Sequence, residues 1–282
     1  MHREGDASVS CPFFQLLENV MNVTRTPKRL FGWLSRLACV ACVCSANPAG
    51  ANVVITGTRV IYPAAEREVT VKLTNNGDLP SLVQVWVDKG DSKAAPDKID
   101  ATFILTPPVA RIEPHKGQTL RLTYTGDALP QDKESVFWLN VLDIPPKPAA
   151  PADDAANLLQ VAIRTRIKIF FRPVGLTDEG AREAVNAVAW KLVSAGSQGA
   201  YAIRATNASA YHVNVAGVQI RSGGHEYTIK EGAMIAPGAS RSFEFSERLS
   251  TLVPDGTEFD FTVVNDAGGF VPVKARIGAY SQ

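Results

Sequence analysis

The chain has 282 residues, of which 45% are hydrophobic and 20% are charged, and its formal net charge is +1. This length accommodates one large domain or two small ones, and the hydrophobic content is sufficient for ordinary buried cores. The near-neutral charge gives no support to a protein that binds nucleic acid or an anionic membrane surface.

Residues 1–51 carry the pattern of a secretory signal. An apolar stretch at 37–43 is followed by the small residues Ala49-Gly50-Ala51 and preceded by four basic residues, Arg25, Lys28, Arg29 and Arg36. These features are typical of a cleaved signal peptide, and the apolar stretch is too short for a membrane span. A buried N-terminal helix is the alternative interpretation.

We expect translation to start at Met1 or Met21 and cleavage to leave an exported protein that begins near Asn52, without insertion in the membrane. All four cysteines lie in the segment that would be removed: Cys11, Cys39, Cys42 and Cys44. The mature chain would then contain no disulfide, although an oxidising compartment would permit one.

From residue 52 onward, short runs rich in Val, Ile, Thr and Phe alternate with turn residues. In the run 68–73, Val69, Val71 and Leu73 share one face, as expected of a half-buried strand. Further runs lie at 53–61, 81–87, 120–124, 136–142, 158–171, 188–193, 201–207, 213–221, 226–230, 241–245, 258–264 and 270–277. No helical period is sustained, so the pattern predicts an all-β protein built from sandwiches.

A break near Arg172-Pro173-Val174-Gly175 divides this series of strands, since proline cannot donate to a β-ladder and glycine loosens the chain. We therefore expect two sandwich domains, 52–172 and 173–282, each close to the usual domain size. The proline-rich segment 144–156 is expected to be an exposed loop.

The run 158–171 is longer than an ordinary strand of roughly 3–10 residues. One of its faces is apolar, and the other carries Arg164, Arg166 and Lys168 at alternate positions. Three basic residues on one face disfavour a central strand. An apolar row at a sheet edge, however, favours aggregation, and proteins usually protect such an edge. The pattern alone leaves two alternatives open, a normal core-facing row and an edge kept for a partner.

The segment 129–145, LPQDKESVFWLNVLDIP, resembles the signature of the periplasmic pilus chaperones, the PapD-like family. Three further stretches, 57–62, 103–118 and 157–173, are similar to the family in the same order. The resemblance implies two immunoglobulin-like β-sandwich domains joined at an angle with a cleft between them. A short loop before the 158–171 run and the lack of a mature cysteine resemble the short-loop class, which usually serves rod-forming adhesive pili.

The resemblance also implies a site. Two cations of the family, which hold the C-terminal carboxylate of a pilin subunit in the cleft, match Arg59 and Lys168. The alternative is that both lie at solvated strand ends, as single basic residues most often do. Charge-assisted hydrogen bonds to a carboxylate contribute roughly 1.5–3 kcal/mol each. The donor row of the family fills an open groove of the pilin while its backbone completes the pilin sheet. That row matches Leu159, Val161 and Ile163.

A third set of family residues forms an ion network that fixes the angle between the domains, and it matches Glu134, Arg172 and Asp266. The alternative is three unrelated surface charges, which would contribute little to stability. Asp266 also has a local role as a hairpin-turn residue.

The resemblance thus implies a periplasmic chaperone that binds, folds and caps pilin subunits by donor-strand complementation and delivers them to an outer-membrane usher. Whether it caps its own donor edge by dimerising when free is left open. An immunoglobulin-like adhesin or structural pilus component is the alternative. The mature chain has three histidines and lacks G-x-S-x-G and H-E-x-x-H motifs. We therefore expect neither an enzyme nor a cofactor or metal site.

Overall fold

The computed structural model describes residues 52–93, 102–147, 160–195, 201–245, 249 and 253–281. The signal-peptide expectation falls on residues 1–51, and it lies outside these ranges, as does Leu159 of the expected donor row. Within the described ranges, no helix has the length and apolar character to cross a membrane.

The N-terminal half is a sandwich of two sheets. The first contains β1 (Val53–Ile55), β3 (Glu68–Asn75), β7 (Gly117–Tyr124) and β5 (Phe103–Thr106), in that spatial order. The second contains β2 (Arg59–Pro63), β9 (Ile163–Arg172), β8 (Ser135–Ile144), β4 (Ser81–Asp88) and β6 (Val109–Ile112), again in spatial order. Both sheets contribute to one core that includes Leu73, Leu120, Leu139 and Ile169.

The C-terminal half is one continuous sheet that encloses a second core. Its strands are β10 (Val188–Ser194), β11 (Tyr201–Asn207), β12 (Val213–Ser222), β13 (His225–Ile229), β14 (Ala233–Ile235), β15 (Ser240–Glu244), β16 (Glu258–Val264) and β17 (Phe270–Ser281). They follow the order β13-β12-β16-β17-β10-β11-β15, with β14 beside β12. Trp190 lies in this core, with ring centroids 4.9–6.0 Å from those of Phe243, Phe259 and Phe261. The predicted fold class, all-β with two immunoglobulin-like sandwiches, is confirmed.

Local alternation predicted the core face of β3 correctly. Val71 and Leu73 are 3% and 0% exposed, and Val69 packs against the same core. Side chains two residues apart on a strand point to one face, so this periodicity could be seen in the sequence.

Some local predictions were wrong. The run 53–61 is two strands, because Gly57 takes a φ of +94° and the chain passes from the β1 sheet to the β2 sheet there. A short helix, α1 (Asp178–Ala184), was missed since seven residues are too few to show a helical period. Thr177 caps it by accepting a hydrogen bond from the backbone N–H of Gly180 at 3.0 Å.

Candidate functional site

The strand β9 changes its surroundings halfway along its length. Its antiparallel pairing with β8 runs from Ile163 to Phe171, whereas its parallel pairing with β2 covers only Lys168 to Arg172. In the part of the chain that the structure describes, nothing pairs with the second edge of residues 163–167. The second half of β9 therefore has the central, core-facing position of one alternative, and the first half has an edge that no described strand pairs with, as the other alternative requires.

The apolar row of β9 extends beyond the core of its own domain. Ile167 and Ile169 are 9% and 0% exposed, whereas Ile163 is 40% and Val161 is 56% exposed. The strand begins only at Ile163, so the predicted start at 158 was too early for the described residues 160–162. Two of the three expected donor residues are thus exposed apolar side chains beside an open edge.

Arg59 and Lys168 are direct neighbours. Arg59 is the first residue of β2 and lies opposite Lys168 in the parallel ladder. Its Nη1 donates to the carbonyl of Val264 at 2.8 Å, and Lys168 Nζ donates to Asn214 Oδ1 at 2.8 Å, so both cations reach the C-terminal domain. Arg59 Nε is buried and has no hydrogen-bond partner among the described residues. The pair therefore retains an unused donor.

The electrostatics of this pair are unfavourable in the free protein. Within the described ranges, neither cation has a carboxylate in ion-pair contact, and like charges directly opposite one another destabilise a sheet. Burial and then the charge of Arg59 lower the pKa of Lys168. Burial also lowers the pKa of Arg59, although Asp266 opposes this shift. A carboxylate between the two cations would relieve both effects.

Arg172 is the centre of an ion network at the joint between the domains. Its guanidinium is 3% exposed and contacts Glu134 Oε1 at 2.8 Å, Asp178 Oδ1 at 2.7 Å and Asp266 Oδ2 at 3.0 Å. Glu134 also accepts from the backbone N–H of His212 at 2.8 Å. Burial alone would raise the pKa of Glu134, but its bonds to His212 and Arg172 outweigh burial and lower it. The structure thus brings the three expected network residues together.

Sequence reasoning missed three polar members of this site: Asp178, His212 and Asn214. Only Asp178 had a local signal, since an acidic residue after Thr177 is typical of the first turn of a capped helix. The other two reach the site through strand β12 and the turn before it, which no local pattern connects with β9.

The hairpin between β16 and β17 lies against the start of β2, where the two domains meet. Gly268 has a φ of +84°, and a Cβ atom there would lie 2.5 Å from Thr58 Oγ1, so the hairpin tip approaches the start of β2 too closely for a larger residue. Beside this contact, a cavity of about 820 Å³ lies between the domains, with Arg59, Ile61 and Val271 in its lining. The lining mixes apolar side chains with cationic ones, and it also contains the carboxylates that the ion network uses: Glu134, Asp178 and Asp266.

Among the described residues, no group of three or more His, Cys, Asp or Glu side chains is arranged to hold a metal ion. The carboxylates at the joint are instead bonded to Arg172.

Several relatives and solved structures are similar to the chain. It is 40% identical over 242 residues to the probable fimbrial chaperone YadV of Escherichia coli K12, covering 86% of this chain and 96% of that protein. It is 39% identical over 250 residues to the chaperone protein HifB of Haemophilus influenzae, covering 88% of this chain and 96% of that protein. The crystal structure of the YadV chaperone covers 80% of this chain and 100% of its own, with 38% identity and a TM-score of 0.66.

The Salmonella enterica SafB chaperone, solved in complex with the SafA pilin, shares the fold at 24% identity and a TM-score of 0.63, covering 82% of this chain and 99% of its own. Two family descriptions also match. "Pili and flagellar-assembly chaperone, PapD N-terminal domain" matches residues 52–177, and "Pili assembly chaperone PapD, C-terminal domain" matches residues 183–275. The chain therefore belongs to the PapD-like family of pilus assembly chaperones.

Proposed function

We propose that this chaperone captures a pilin subunit by lending it the open edge of β9 as a strand. The observation that carries the proposal is the place where this edge ends. Among the described strands, none pairs with this edge at residues 163–167, and β2 occupies the same side of β9 from Lys168 onward, starting at Arg59. A guest strand on the free edge would therefore lie in line with β2.

The direction of β2 supports a particular orientation of the guest. Because β2 is parallel to β9, a guest strand that runs the same way would point its C-terminus at the first residue of β2. That residue is Arg59, which has a buried Nε without a partner among the described residues and lies beside Lys168. We propose that these two cations hold the terminal carboxylate of the pilin.

The exposed apolar row supports a second contact. A guest that adds a strand to an edge gains main-chain hydrogen bonds, and alternate side chains of the host strand can fill its groove. We propose that Val161 and Ile163, together with Leu159 from outside the described residues, fill the open core of the pilin. Each aliphatic side chain that becomes fully buried contributes roughly 1.5–3 kcal/mol.

The proposal is tested by producing the chaperone with a pilin from the same gene cluster. We expect a soluble complex with one chaperone per pilin, and an aggregated pilin when the chaperone is omitted. An adhesin would instead bind a carbohydrate in the absence of pilin. A pilin that folds and stays soluble without the chaperone, and never co-purifies with it, would contradict the proposal.

We propose further that the complex is delivered to an outer-membrane usher, as the family resemblance implies. A pull-down with purified usher should retain the chaperone–pilin complex and not the free chaperone. Analytical ultracentrifugation of the free protein tests the self-capping alternative, because a dimer through β9 should dissociate when pilin is added.

We also propose that residues 1–51 direct export to the periplasm and that the mature protein consists of domains 52–172 and 173–282. Intact-mass analysis of periplasmic material should give a chain that begins within a few residues of Asn52 and contains no disulfide. A mature chain that retains Cys39, Cys42 and Cys44 would be incompatible with this proposal.

A further inference from the structure

On the outer face of the open half of β9, two arginine side chains stack on tryptophan rings of the same sheet. Arg164 stacks over the ring of Trp86 and Arg166 over the ring of Trp138, each with its guanidinium carbon 4.7 Å from the ring centroid. Both arginines are largely withdrawn from solvent, with side chains 28% and 22% exposed. Arginines that merely solubilise an edge would extend into water.

Two buried polar side chains complete this arrangement. Asp88 is 4% exposed and binds Arg166 through both carboxylate oxygens, and it also accepts from Asn140 Nδ2 at 2.7 Å. Asn140 is 0% exposed, and its Oδ1 accepts from Arg164 Nε at 2.9 Å and Nη2 at 2.6 Å. Arg164 Nη1 further donates to the carbonyl of Ser92 at 2.9 Å. Two arginines of β9 are thus bonded across β8 to β4 and the turn that follows it.

The location of these contacts is informative. They act on Arg164 and Arg166, which lie in the five residues of β9 that pair with β8 alone among the described strands. An edge segment with one ladder opens more easily than one with two, because fewer hydrogen bonds and packed side chains hold it. A sheet that must present this edge to a partner therefore needs another means of keeping it straight.

We propose that this Arg–Trp brace holds the open half of β9 extended and in register before a partner arrives; its members are Arg164, Arg166, Trp86, Trp138, Asp88 and Asn140. They are positioning residues, since the outer face on which they lie is opposite to the one that carries Ile163. The brace lowers the ordering cost that capture would otherwise carry. This role in capture rests on the proposed function, whereas the effect on β9 itself does not.

The first test is amide hydrogen exchange in the free, full-length protein. We expect Arg164→Met and Arg166→Met to accelerate exchange of the β8-bonded amides in 163–167 by about tenfold or more, with little change in β2 or β7. Arg166→Lys keeps the charge but loses the planar two-pronged contact, so it should not restore protection. Arg111→Met on β6 is the matched control, because Arg111 is 65% exposed and pairs with an exposed Glu113.

If Arg166→Met does not fold, Arg164→Met still tests the proposal, because it leaves the contact between Arg166 and Asp88 in place. Unchanged exchange at 163–167 in a folded Arg164→Met or Arg166→Met protein would overturn the proposal. So would faster exchange throughout the N-terminal domain, because the residues would then support the whole sandwich rather than its open edge.

The second test measures capture of a purified pilin by stopped-flow fluorescence. We expect the association rate to fall by about tenfold in Arg164→Met, while its melting temperature and the Arg111→Met association rate stay near those of the wild type. Faster exchange with an unchanged association rate would overturn the positioning role. If the wild type itself captures no pilin, the proposed function fails, while the exchange measurement still decides whether the brace holds the edge.

Discussion

At the scale of single residues, the site contains two cations that lie opposite one another, and no carboxylate of the described residues is in ion-pair contact with either. Lys168 has Asn214 as its hydrogen-bond partner, and Arg59 has one buried nitrogen without any partner in the described part of the chain. Such a pair costs stability in the free protein and gains most when a carboxylate binds. Replacing one of the two cations should therefore stabilise the free protein and weaken its binding of a carboxylate.

The anchoring role can be tested with a pilin whose C-terminus is amidated. Lys168→Ala should weaken binding of the native pilin by several hundred-fold, since breaking a buried charge pair costs roughly 3–5 kcal/mol. Amidation should weaken binding to the wild type similarly and add little further loss in Lys168→Ala. Calorimetry on all four combinations at one salt concentration measures the coupling. Losses that simply add would show that Lys168 does not hold this carboxylate.

The lowered pKa of Lys168 predicts a pH dependence of stability. Between the folded pKa and the ordinary value of 10.5, the unfolded chain binds more protons than the folded one. Stability therefore rises with pH in that window. The free energy of unfolding of the wild type should increase relative to that of Lys168→Met as the pH approaches 10.5 from below. Urea unfolding of both proteins across this range measures the difference. Parallel pH profiles would contradict the prediction.

At the scale of elements, β9 serves two purposes along one strand. Its second half lies between β2 and β8 and contributes Ile169 and Phe171 to the core, whereas its first half has an edge that no described strand pairs with. Thr165 interrupts the apolar alternation in the first half, but Ile163 and Ile167 lie on the same face as Ile169, so the alternation alone does not separate the two halves. A change at the exposed Ile163 should therefore affect capture without affecting folding, whereas Ile167 belongs to the core.

We expect Ile163→Ser to weaken pilin binding by about tenfold or more, since it removes an aliphatic side chain that would be buried only in the complex. The free protein should melt as the wild type does, because Ile163 is 40% exposed. Ile104→Ser is the matched control, as Ile104 is an exposed isoleucine on β5, a strand of the other sheet. Binding affinities and melting temperatures of both variants provide the test. Equal effects on binding would contradict a specific role for Ile163.

At the scale of the whole molecule, charged and polar side chains connect the two domains at their joint. Arg172 ends the last strand of the first domain and reaches Asp266 in the final hairpin of the second. Glu134 accepts from the backbone of His212 across the joint. We propose that this network sets the angle between the domains and thereby the width of the cleft.

Arg172→Ala or Glu134→Ala should loosen the joint more than it unfolds either domain. Leaving one buried charge without its partner costs roughly 3–5 kcal/mol, and the network lies between the two cores rather than inside one. Small-angle scattering should report a changed shape, while circular dichroism stays typical of β-sheet. Glu113→Ala, in an exposed pair with Arg111, should change neither. Loss of all cooperative melting would instead assign these residues to folding.

The sequence by itself determined the features that depend on short stretches. The alternation of Val69, Val71 and Leu73 defines the core face of β3, because a strand has a period of two residues. The motif at 129–145 and its companion stretches identified the family, and with it the candidates Arg59 and Lys168.

Only the tertiary structure decided what those residues have as neighbours. The bases of β9 look alike in the sequence, yet Arg166 is bonded to Asp88, 78 positions away, and Lys168 to Asn214, 46 positions away. The free edge of 163–167 likewise depends on where β2 begins after the chain changes sheets at Gly57. Periodicity reports which face of a strand is apolar, but which strand lies beside it depends on contacts between distant parts of the chain.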